Sequence, residues 1–228
     1  MKFTSICAIL FAALTLAIDV SASIVIDNYT AGDSITLTAP GTESQVTTDA
    51  SILGNARVDT LTLTNTASPF FGTIGFNGVL DVAQGAADQV NGSVTYSNFG
   101  TTGIIDITEG GINDAFELGF LTSDINSPLS NVVSVTATSA NGATDTQFVT
   151  VPASSGLPAD VLLSFDAFDS AVDFTTLDSV SLNFDFASAP GRDLGVGLFS
   201  AVNSVPEPTT GLICGIAAVG MVVRRRRR

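Results

Sequence analysis

The sequence predicts an all-β protein, most simply a two-sheet β-sandwich with jelly-roll-like connectivity. Short runs of alternating or β-branched residues recur along the chain, separated by clusters of Gly, Pro, Asn, Asp and Ser. No stretch of the central chain shows a convincing apolar period of 3.6 residues, which argues against helices. The strand-like runs are SITLTA, VDTLTLT, VNGSVTY, GIIDIT, VVSVTATS, TQFVTV, VLLSFDAF and SVSLNFDF.

Residues 1–22 have the three parts of a secretory signal peptide. Lys2 supplies a positive charge, and the stretch from Ile6 to Ile18 is apolar. Small residues follow it, so cleavage by signal peptidase is expected after Ala22 or Ser23. This segment predicts that the rest of the chain is exported.

Segment 23–204 is predicted to be one β-sandwich domain. Asn141-Gly142 marks a hairpin between Val132–Thr138 and Thr144–Val151, because this pair tolerates the positive φ of a tight turn. Asn91-Gly92 is a second turn or bulge signal. About eight to twelve strands in a segment of this length fit a sandwich. A β-solenoid is the alternative, although no fixed-period repeat supports it.

The composition of this domain excludes several classes of function. Between Ser23 and Val205, twenty acids face two basic residues, Arg57 and Arg192, which gives a formal charge of about −18. Such a surface repels phosphate backbones, so nucleic acid is not expected as a partner. The sequence lacks His, and the domain lacks Cys and Lys. These absences exclude histidine-based triads, disulfides, thiolate metal sites and Schiff-base chemistry in the domain.

The last segment, 205–228, combines an extended motif, a short apolar stretch and a basic cluster. The three parts are Pro206, Glu207 and Pro208; then Gly211–Val223; then Arg224, Arg225, Arg226, Arg227 and Arg228. As a helix the apolar stretch would span about 20 Å, short of a hydrocarbon core of about 30 Å, but arginine side chains can snorkel to the interface. By the positive-inside rule, the arginines stay in the cytoplasm. The pattern predicts one membrane-spanning helix with the domain outside.

This tail resembles the PEP-CTERM sorting signal of exported bacterial proteins. The resemblance implies that exosortase, a membrane-embedded cysteine transpeptidase, recognises Pro206, Glu207 and Pro208 and cuts at or near them. The apolar stretch would then be a transient span, and the five arginines the stop that fixes its topology. A plain membrane anchor that is never cut is the alternative.

Three stretches follow one another in the order IDNYTAGDSITL, ILGNARVDTLTL and VDFTTLDSVSLNFDFASAPGRDLGVGLF. This order of strands resembles jelly-roll modules of the galactose-binding kind found in bacterial surface proteins. Tryptophan is absent, so Tyr29, Tyr96 or a phenylalanine are the candidate platforms for stacking on a pyranose. Most of the phenylalanines are expected in the core.

Carboxylates are the main chemical groups left to the domain. The candidates are Asp106, Glu109, Asp114 and Glu117 in one stretch and Asp166, Asp169, Asp173 and Asp178 in another. Glycoside hydrolysis needs only two suitably spaced acids, but acids interleaved with phenylalanines fit a solvated rim as well. Structural calcium is an alternative use of these oxygens, although the DxDxDG loop pattern is absent and no ligands are assigned.

The sequence therefore predicts an exported, membrane-held precursor that becomes a cell-surface or extracellular protein. Its expected role is non-enzymatic, structural or adhesive, in the envelope or the extracellular polysaccharide matrix. A module that binds a specific glycan is the first alternative, and a carboxylate-based glycoside hydrolase is the second.

Overall fold

The computed structural model describes residues 23–64, 71–99, 103–187 and 189–204. Within these ranges the regular structure consists of β-strands and short 3₁₀ turns. The strands form two antiparallel sheets, as the all-β prediction required. Residues Ser23–Ser204 make up one compact unit.

The described residues contain thirteen strands, which is more than the sequence pattern predicted. In chain order they are β1 (Ile24–Asp27), β2 (Ile35–Leu37), β3 (Gly41–Thr48), β4 (Ala56–Leu63), β5 (Gly72–Phe76), β6 (Leu80–Gln84), β7 (Val90–Ser97), β8 (Ala115–Ser123), β9 (Leu129–Ser139), β10 (Thr144–Val151), β11 (Ala159–Ser164), β12 (Leu177–Asp185) and β13 (Leu194–Val202). The seven-stranded sheet has the order β11-β8-β13-β6-β5-β2, with β1 added beside β13. The six-stranded sheet has the order β10-β9-β12-β7-β4-β3.

The chain crosses repeatedly between the two sheets. From β6 onward each connection changes sheet except the β9–β10 hairpin. This is a jelly-roll-like connectivity, and it differs from a β-solenoid, in which successive coils stack on one another. One consequence is that residues far apart in sequence become neighbours on a single sheet.

The core fills the space between the sheets because most strands alternate buried and exposed residues. Phenylalanines dominate one part of it, as expected. The ring of Phe116 lies 4.9 Å from that of Phe165, 5.4 Å from Phe199 and 5.9 Å from Phe174, measured between ring centroids. These contacts join β8 and β13 of one sheet to the loop that leads into β12 of the other.

The predicted Asn141-Gly142 hairpin is confirmed. It joins β9 to β10, and Gly142 has a φ of 85°. The amide of Gly142 donates to the carbonyl of Ser139 at 2.8 Å, while the Asn141 side chain accepts from the amide of Ala143 at 2.8 Å. The positive φ is taken by the glycine, the residue for which it costs least.

Two local predictions were wrong. GIIDIT does not form a strand, because Asp106 folds its own chain into a turn by accepting hydrogen bonds from the amides of Thr108 and Gly110. Asn91-Gly92 forms neither turn nor bulge but lies within β7. A Cβ on Gly92 would come 3.2 Å from the carbonyl oxygen of Thr60, so the glycine allows close packing there.

The predicted signal peptide, 1–22, and the predicted sorting segment, 205–228, lie outside the described residues. Among the residues that are described, no helix has the length and apolar character needed to cross a membrane.

Candidate functional site

The outer surface of the six-stranded sheet carries an ordered array of small polar side chains. We call this surface the hydroxyl face. Its members are Thr42, Ser44, Thr60, Thr62, Asn91, Ser93, Thr95, Ser97, Ser134, Thr136, Thr138, Thr144, Thr146, Ser179, Ser181 and Asn183, of which Ser134 is buried. They share one side of the sheet because every second residue of a strand points the same way.

The strand register sets these side chains in straight rows. One row crosses five strands through Ser44, Thr60, Ser93, Asn183 and Ser134. The next row runs through two valines and then through Thr95, Ser181, Thr136 and Thr146. Neighbours within a row are about 4.8 Å apart, and adjacent rows are about 7 Å apart, as strand geometry dictates. The face is therefore a two-dimensional lattice of hydroxyl and amide groups.

Hydrogen bonds between neighbouring strands hold this lattice in place. The bonded pairs are Thr42 with Thr62, Ser44 with Thr60 and Thr95 with Ser181, each at 2.9 Å, Thr136 with Thr146 at 2.8 Å, and Thr138 with Thr144 at 3.0 Å. A hydroxyl has one donor and two acceptor positions. Each pair thus keeps one donor position and three acceptor positions, or two in the pair of Thr136 and Thr146, because Thr136 also accepts from the Asn183 amide at 3.0 Å.

The hydroxyl face is almost uncharged in a strongly acidic domain. Among the exposed strand residues of this sheet that the structure describes, the carboxylates are Asp178 and Asp185 at the two ends of β12 and Glu43 on the edge strand β3. The other acids lie on the opposite sheet, at sheet edges, in loops or in the interior. A partner of this face therefore meets hydroxyls rather than repulsive charge.

Apolar side chains stand at both edges of the hydroxyl face. Val46 is 68% exposed and Val58 37% exposed at the β3–β4 edge, and Phe148 is 59% exposed on β10. Phe148 continues the row that contains Ser134. These side chains give the face apolar contacts beside its hydrogen-bonding groups.

A buried ion-pair network lies on the inner side of β4, behind the hydroxyl face. The guanidinium of Arg57 donates to Asp27 at 2.6 Å, to Asp59 at 2.9 Å and to the carbonyl oxygen of Ala31 at 2.6 Å. The same group lies over the ring of Phe76, 3.7 Å from its centroid. Because Asp27 belongs to β1 and Arg57 to β4, the network joins the two sheets.

Burial and charge act in opposite directions in this network. Burial alone would lower the pKa of Arg57, but the neighbouring charges of Asp27 and Asp59 outweigh it and raise that pKa. Burial raises the pKa of Asp59, although Arg57 and the hydroxyl of Thr47 oppose the change. Sequence reasoning missed this network. The available signal was that Arg57 and Asp59 share the inward phase of β4 with Leu61 and Leu63.

The two tyrosines proposed as aromatic platforms are not available to a ligand. Tyr29 and Tyr96 are both fully buried, so their assignment as residues that stack on a pyranose was wrong. The hydroxyl of Tyr96 donates to Asp27 at 3.1 Å, and burial raises the pKa of both tyrosines. The Tyr29 hydroxyl interacts electrostatically with Tyr96 but has no hydrogen bond of good geometry among the described residues.

The candidate carboxylates of the first stretch serve local structure. Asp106 caps the turn that follows it, and hydrogen bonds from this turn lower its pKa. Asp114 accepts from the amide and the hydroxyl of Ser204, and Glu117 accepts from Ser200. Glu109 lies within the turn that Asp106 caps, with a φ of 49°.

Two carboxylates of the second stretch also accept hydrogen bonds within their own turns, and the charge of Asp173 opposes the lowering of the Asp106 pKa. Asp169 and Asp173 accept hydrogen bonds from their own turns, at 2.8 Å from the amide of Ala171 and at 2.9 Å from that of Thr175. Asp166 follows the Ser164 cap of a 3₁₀ turn, and Asp178 is exposed near the start of β12. In the parts of the chain that the structure describes, no three acids are grouped so that they could hold a metal ion.

No protein-family model and no curated protein matches the sequence. Solved structures similar to this chain include carbohydrate-binding modules. The family 11 module of the cellulosomal cellulase Lic26A-Cel5E of Clostridium thermocellum has 9% sequence identity, with a TM-score of 0.40 over 83% of this chain and 99% of the module. A solution structure of CtCBM11 has 11% identity and a TM-score of 0.45 over the same shares. The xylan-binding CBM22-1 domain of Paenibacillus barcinonensis Xyn10C has 12% identity and a TM-score of 0.31 over 81% of this chain and 95% of that domain. Similarity at this level assigns neither a ligand nor binding residues to this chain.

Proposed function

We propose that this chain is an exported, non-catalytic protein that adheres to neutral polysaccharide of the cell envelope or extracellular matrix through its hydroxyl face. The observation that carries the proposal is an uncharged lattice of serine, threonine and asparagine side chains on a domain with a formal charge of about −18. Segregation of charge away from one broad surface favours a partner without charge.

The chemistry of the hydroxyl face suits a sugar polymer. Polysaccharide chains present many hydroxyl groups that both donate and accept, and the bonded pairs of the face keep free positions of both kinds. The exposed Val46, Val58 and Phe148 supply apolar contacts for the CH groups of sugar rings. An anionic polymer would gain nothing here and would be repelled by the acids around the face.

The proposed location rests on the ends of the sequence. The signal-peptide pattern of residues 1–22 supports export, and the pattern of residues 205–228 supports sorting by exosortase at Pro206, Glu207 and Pro208. In this proposal the chain is first held in the membrane and then released or transferred to the cell surface. The last described strand, β13, ends at Val202, immediately before the sorting segment.

Adhesion is tested with the segment 23–204, which forms one compact unit with its own core. We expect it to sediment with insoluble neutral glucan, xylan or mannan but not with a polyuronate gel. Thr136→Glu places a carboxylate in the centre of the hydroxyl face and breaks the pair with Thr146, so binding should weaken at least about 10-fold.

Thr73→Glu is the matched control, because Thr73 forms the equivalent hydroxyl pair with Thr36 on the seven-stranded sheet. It should bind like the parent. Equal binding by parent and Thr136→Glu would overturn the assignment of the face, and loss with Thr73→Glu instead would place adhesion on the other sheet.

Sorting is tested at Glu207 in a host that contains exosortase. Two prolines fix the backbone on either side, so Glu207→Ala changes the recognition element and leaves the signal peptide, the apolar stretch and the arginines intact. The variant should accumulate as full-length membrane-held protein, while the parent and a Glu43→Ala control lose the tail. Intact mass of the recovered protein measures this. Equal trimming of parent and Glu207→Ala would reduce the tail to an ordinary anchor.

A further inference from the structure

The seven-stranded sheet carries an open cleft that the hydroxyl face does not involve. Its volume is about 470 Å³, within the range of sites for small organic ligands. The lining residues are Ser34, Gly75, Phe76, Asn77, Val79, Asp81 and Thr122. They come from β5, β6, β8, the β5–β6 turn and the residue before β2, so segments distant in sequence build one site.

Two glycines open this cleft on either side of Asp81. Gly75 on β5 and Gly195 on β13 are both paired directly with Asp81 on β6, and Gly195 is also paired with Thr122 on β8. A Cβ on Gly195 would collide with the Thr122 hydroxyl, and one on Gly75 would come 3.1 Å from the Ser34 hydroxyl. The missing side chains leave the Asp81 carboxylate accessible between two hydroxyl groups.

The polar groups of the cleft lack internal partners. Among the described residues, the side chains of Ser34, Asn77, Asp81 and Thr122 make no hydrogen bond, whereas most aspartates of this domain cap a turn or accept from a neighbour. Burial and the nearby charge of Asp193 raise the pKa of Asp81. Four uncommitted polar side chains thus converge on one open volume.

The apolar contact of the cleft comes from one side chain. Val79 lines the cleft and is half-buried. Phe76 also belongs to the lining, but it is 8% exposed and its ring lies on the inner side of β5, 3.7 Å from the buried Arg57 guanidinium. An apolar side chain beside a carboxylate, an amide and two hydroxyls is complementary to a sugar ring, which has CH groups on one side and hydroxyls around its edge.

We propose that this cleft binds a single neutral sugar residue at the end or branch of a glycan chain, with two adjacent sugar hydroxyls donating to Asp81 and the remaining polar contacts made by Asn77, Ser34 and Thr122. A carboxylate accepts two hydroxyl donors well and disfavours anionic sugars. The site is distinct from the hydroxyl face, so its occupancy does not depend on adhesion to polymer.

The test uses the full chain in a zwitterionic detergent that has no sugar headgroup. Glucose, galactose, mannose and xylose, each as its methyl glycoside, are titrated and followed by saturation-transfer NMR and calorimetry. We expect at least one of them to bind at concentrations up to about 10 mM and Asp81→Asn to weaken that binding about 10-fold or more. Asp160→Asn, on the same sheet surface, is the matched control and should leave binding unchanged.

Ser34→Ala provides a second, milder variant should Asp81→Asn disturb the fold, and it should weaken binding several-fold. The proposal is overturned if none of the four sugars binds, if Asp81→Asn and Ser34→Ala both bind like the parent, or if calcium ions bind at Asp81 while sugars do not. Polymer adhesion measured in parallel separates the sites: Asp81→Asn should retain it, and Thr136→Glu should retain sugar binding.

Discussion

The ion pairs of Arg57 show how one side chain can hold two sheets together. Of the two basic residues in the domain, Arg57 is buried in the interior, while Arg192 remains partly exposed and donates to the carbonyl oxygen of Asp124 at 3.1 Å. The buried guanidinium is the counter-charge for both Asp27 and Asp59. Its removal would leave carboxylates in a region where an uncompensated charge is costly.

We therefore expect Arg57→Met to destabilise the domain by about 3–5 kcal/mol, the usual cost of removing one partner of a buried ion pair. Denaturant unfolding measures this. Arg192→Met is the matched control, with an expected cost of less than about 1 kcal/mol because its partner is near the surface. Adding Asp27→Asn and Asp59→Asn to Arg57→Met should recover part of the loss. Similar costs for the two arginine variants would show that the network is not a main source of stability.

At the scale of single elements, the β9–β10 hairpin depends on one glycine. Gly142 has a φ of 85°, and a Cβ added there would contact nothing within 4 Å. Any cost of Gly142→Ala must then come from the backbone conformation rather than from crowding.

Gly142→Ala should lower the stability of the domain by about 1 kcal/mol. Gly156→Ala is the control, because Gly156 also has open space around its Cβ position but does not have a positive φ. This control should be neutral or slightly stabilising, since alanine restricts the unfolded chain. Thermal unfolding measures the melting temperatures of the two variants. Equal melting temperatures would rule out a backbone cost at Gly142.

The turn before β12 is expected to be sensitive to acid. Asp173 accepts hydrogen bonds from the hydroxyl and the amide of Thr175 and from the hydroxyl of Thr176, and these bonds lower its pKa below the usual 3.8. A carboxyl group whose pKa is lowered by folding stabilises the folded state above its ordinary pKa. That contribution is lost as the pH falls through the folded-state value.

Asp173→Asn should accordingly reduce the melting temperature at neutral pH, and the difference from the parent should shrink as the pH falls below about 3.8. Asp178→Asn serves as the control, because Asp178 is exposed and accepts no hydrogen bond among the described residues. A difference for Asp173→Asn that stays constant down to about pH 2 would contradict the role given to its charge.

The sequence predicted correctly those strands in which apolar and polar residues alternate. Alternation in VDTLTLT and SVSLNFDF predicted β4 and β12, because each strand buries one face and exposes the other. The prediction of a strand at GIIDIT was wrong because the Asp106 side chain accepts hydrogen bonds from the residues that follow it, and this turn replaces strand pairing. Local patterns predict well which residues of a strand point inward and which point outward. They do not predict which hydrogen bonds its polar side chains will make.

The candidate sites depend on information that local patterns do not contain. Serine and threonine at every second position of TLTLT and VSVTATS were a visible sign of a polar outer face. The rows, however, follow from the register of six strands, in which Thr60 and Ser134 are brought onto one line. The cleft likewise requires Gly75 and Gly195 to flank Asp81, and these residues are far apart in the chain. The burial of Arg57 could have been predicted, because Arg57 falls on the same side of β4 as the apolar residues Leu61 and Leu63.

At the scale of the whole molecule, charge is distributed unevenly over a domain of about −18. The strands of the hydroxyl face expose three carboxylates among the described residues, Asp178 and Asp185 at the two ends of β12 and Glu43 at the β3 edge. The other acids lie at the β10 edge, on the opposite sheet, in loops or in the interior. Two kinds of association should therefore respond differently to salt. Contacts made through the neutral face involve little long-range electrostatics, whereas contacts made through the acidic surfaces depend on unscreened charge.

We expect adhesion to neutral polysaccharide to change less than about twofold between 0.1 and 1 M NaCl, as the screening length falls from about 10 Å to about 3 Å. Adsorption to an amine-bearing resin should be lost over the same range because it relies on the acids. Thr136→Glu should weaken the first association at least about 10-fold and leave the second intact, which makes the resin an internal control for folding and surface charge. Sedimentation with each matrix at several salt concentrations measures both. If adhesion to neutral polysaccharide falls with salt as steeply as adsorption to the resin, the polymer is held by the acidic surfaces and the hydroxyl face is not its binding site.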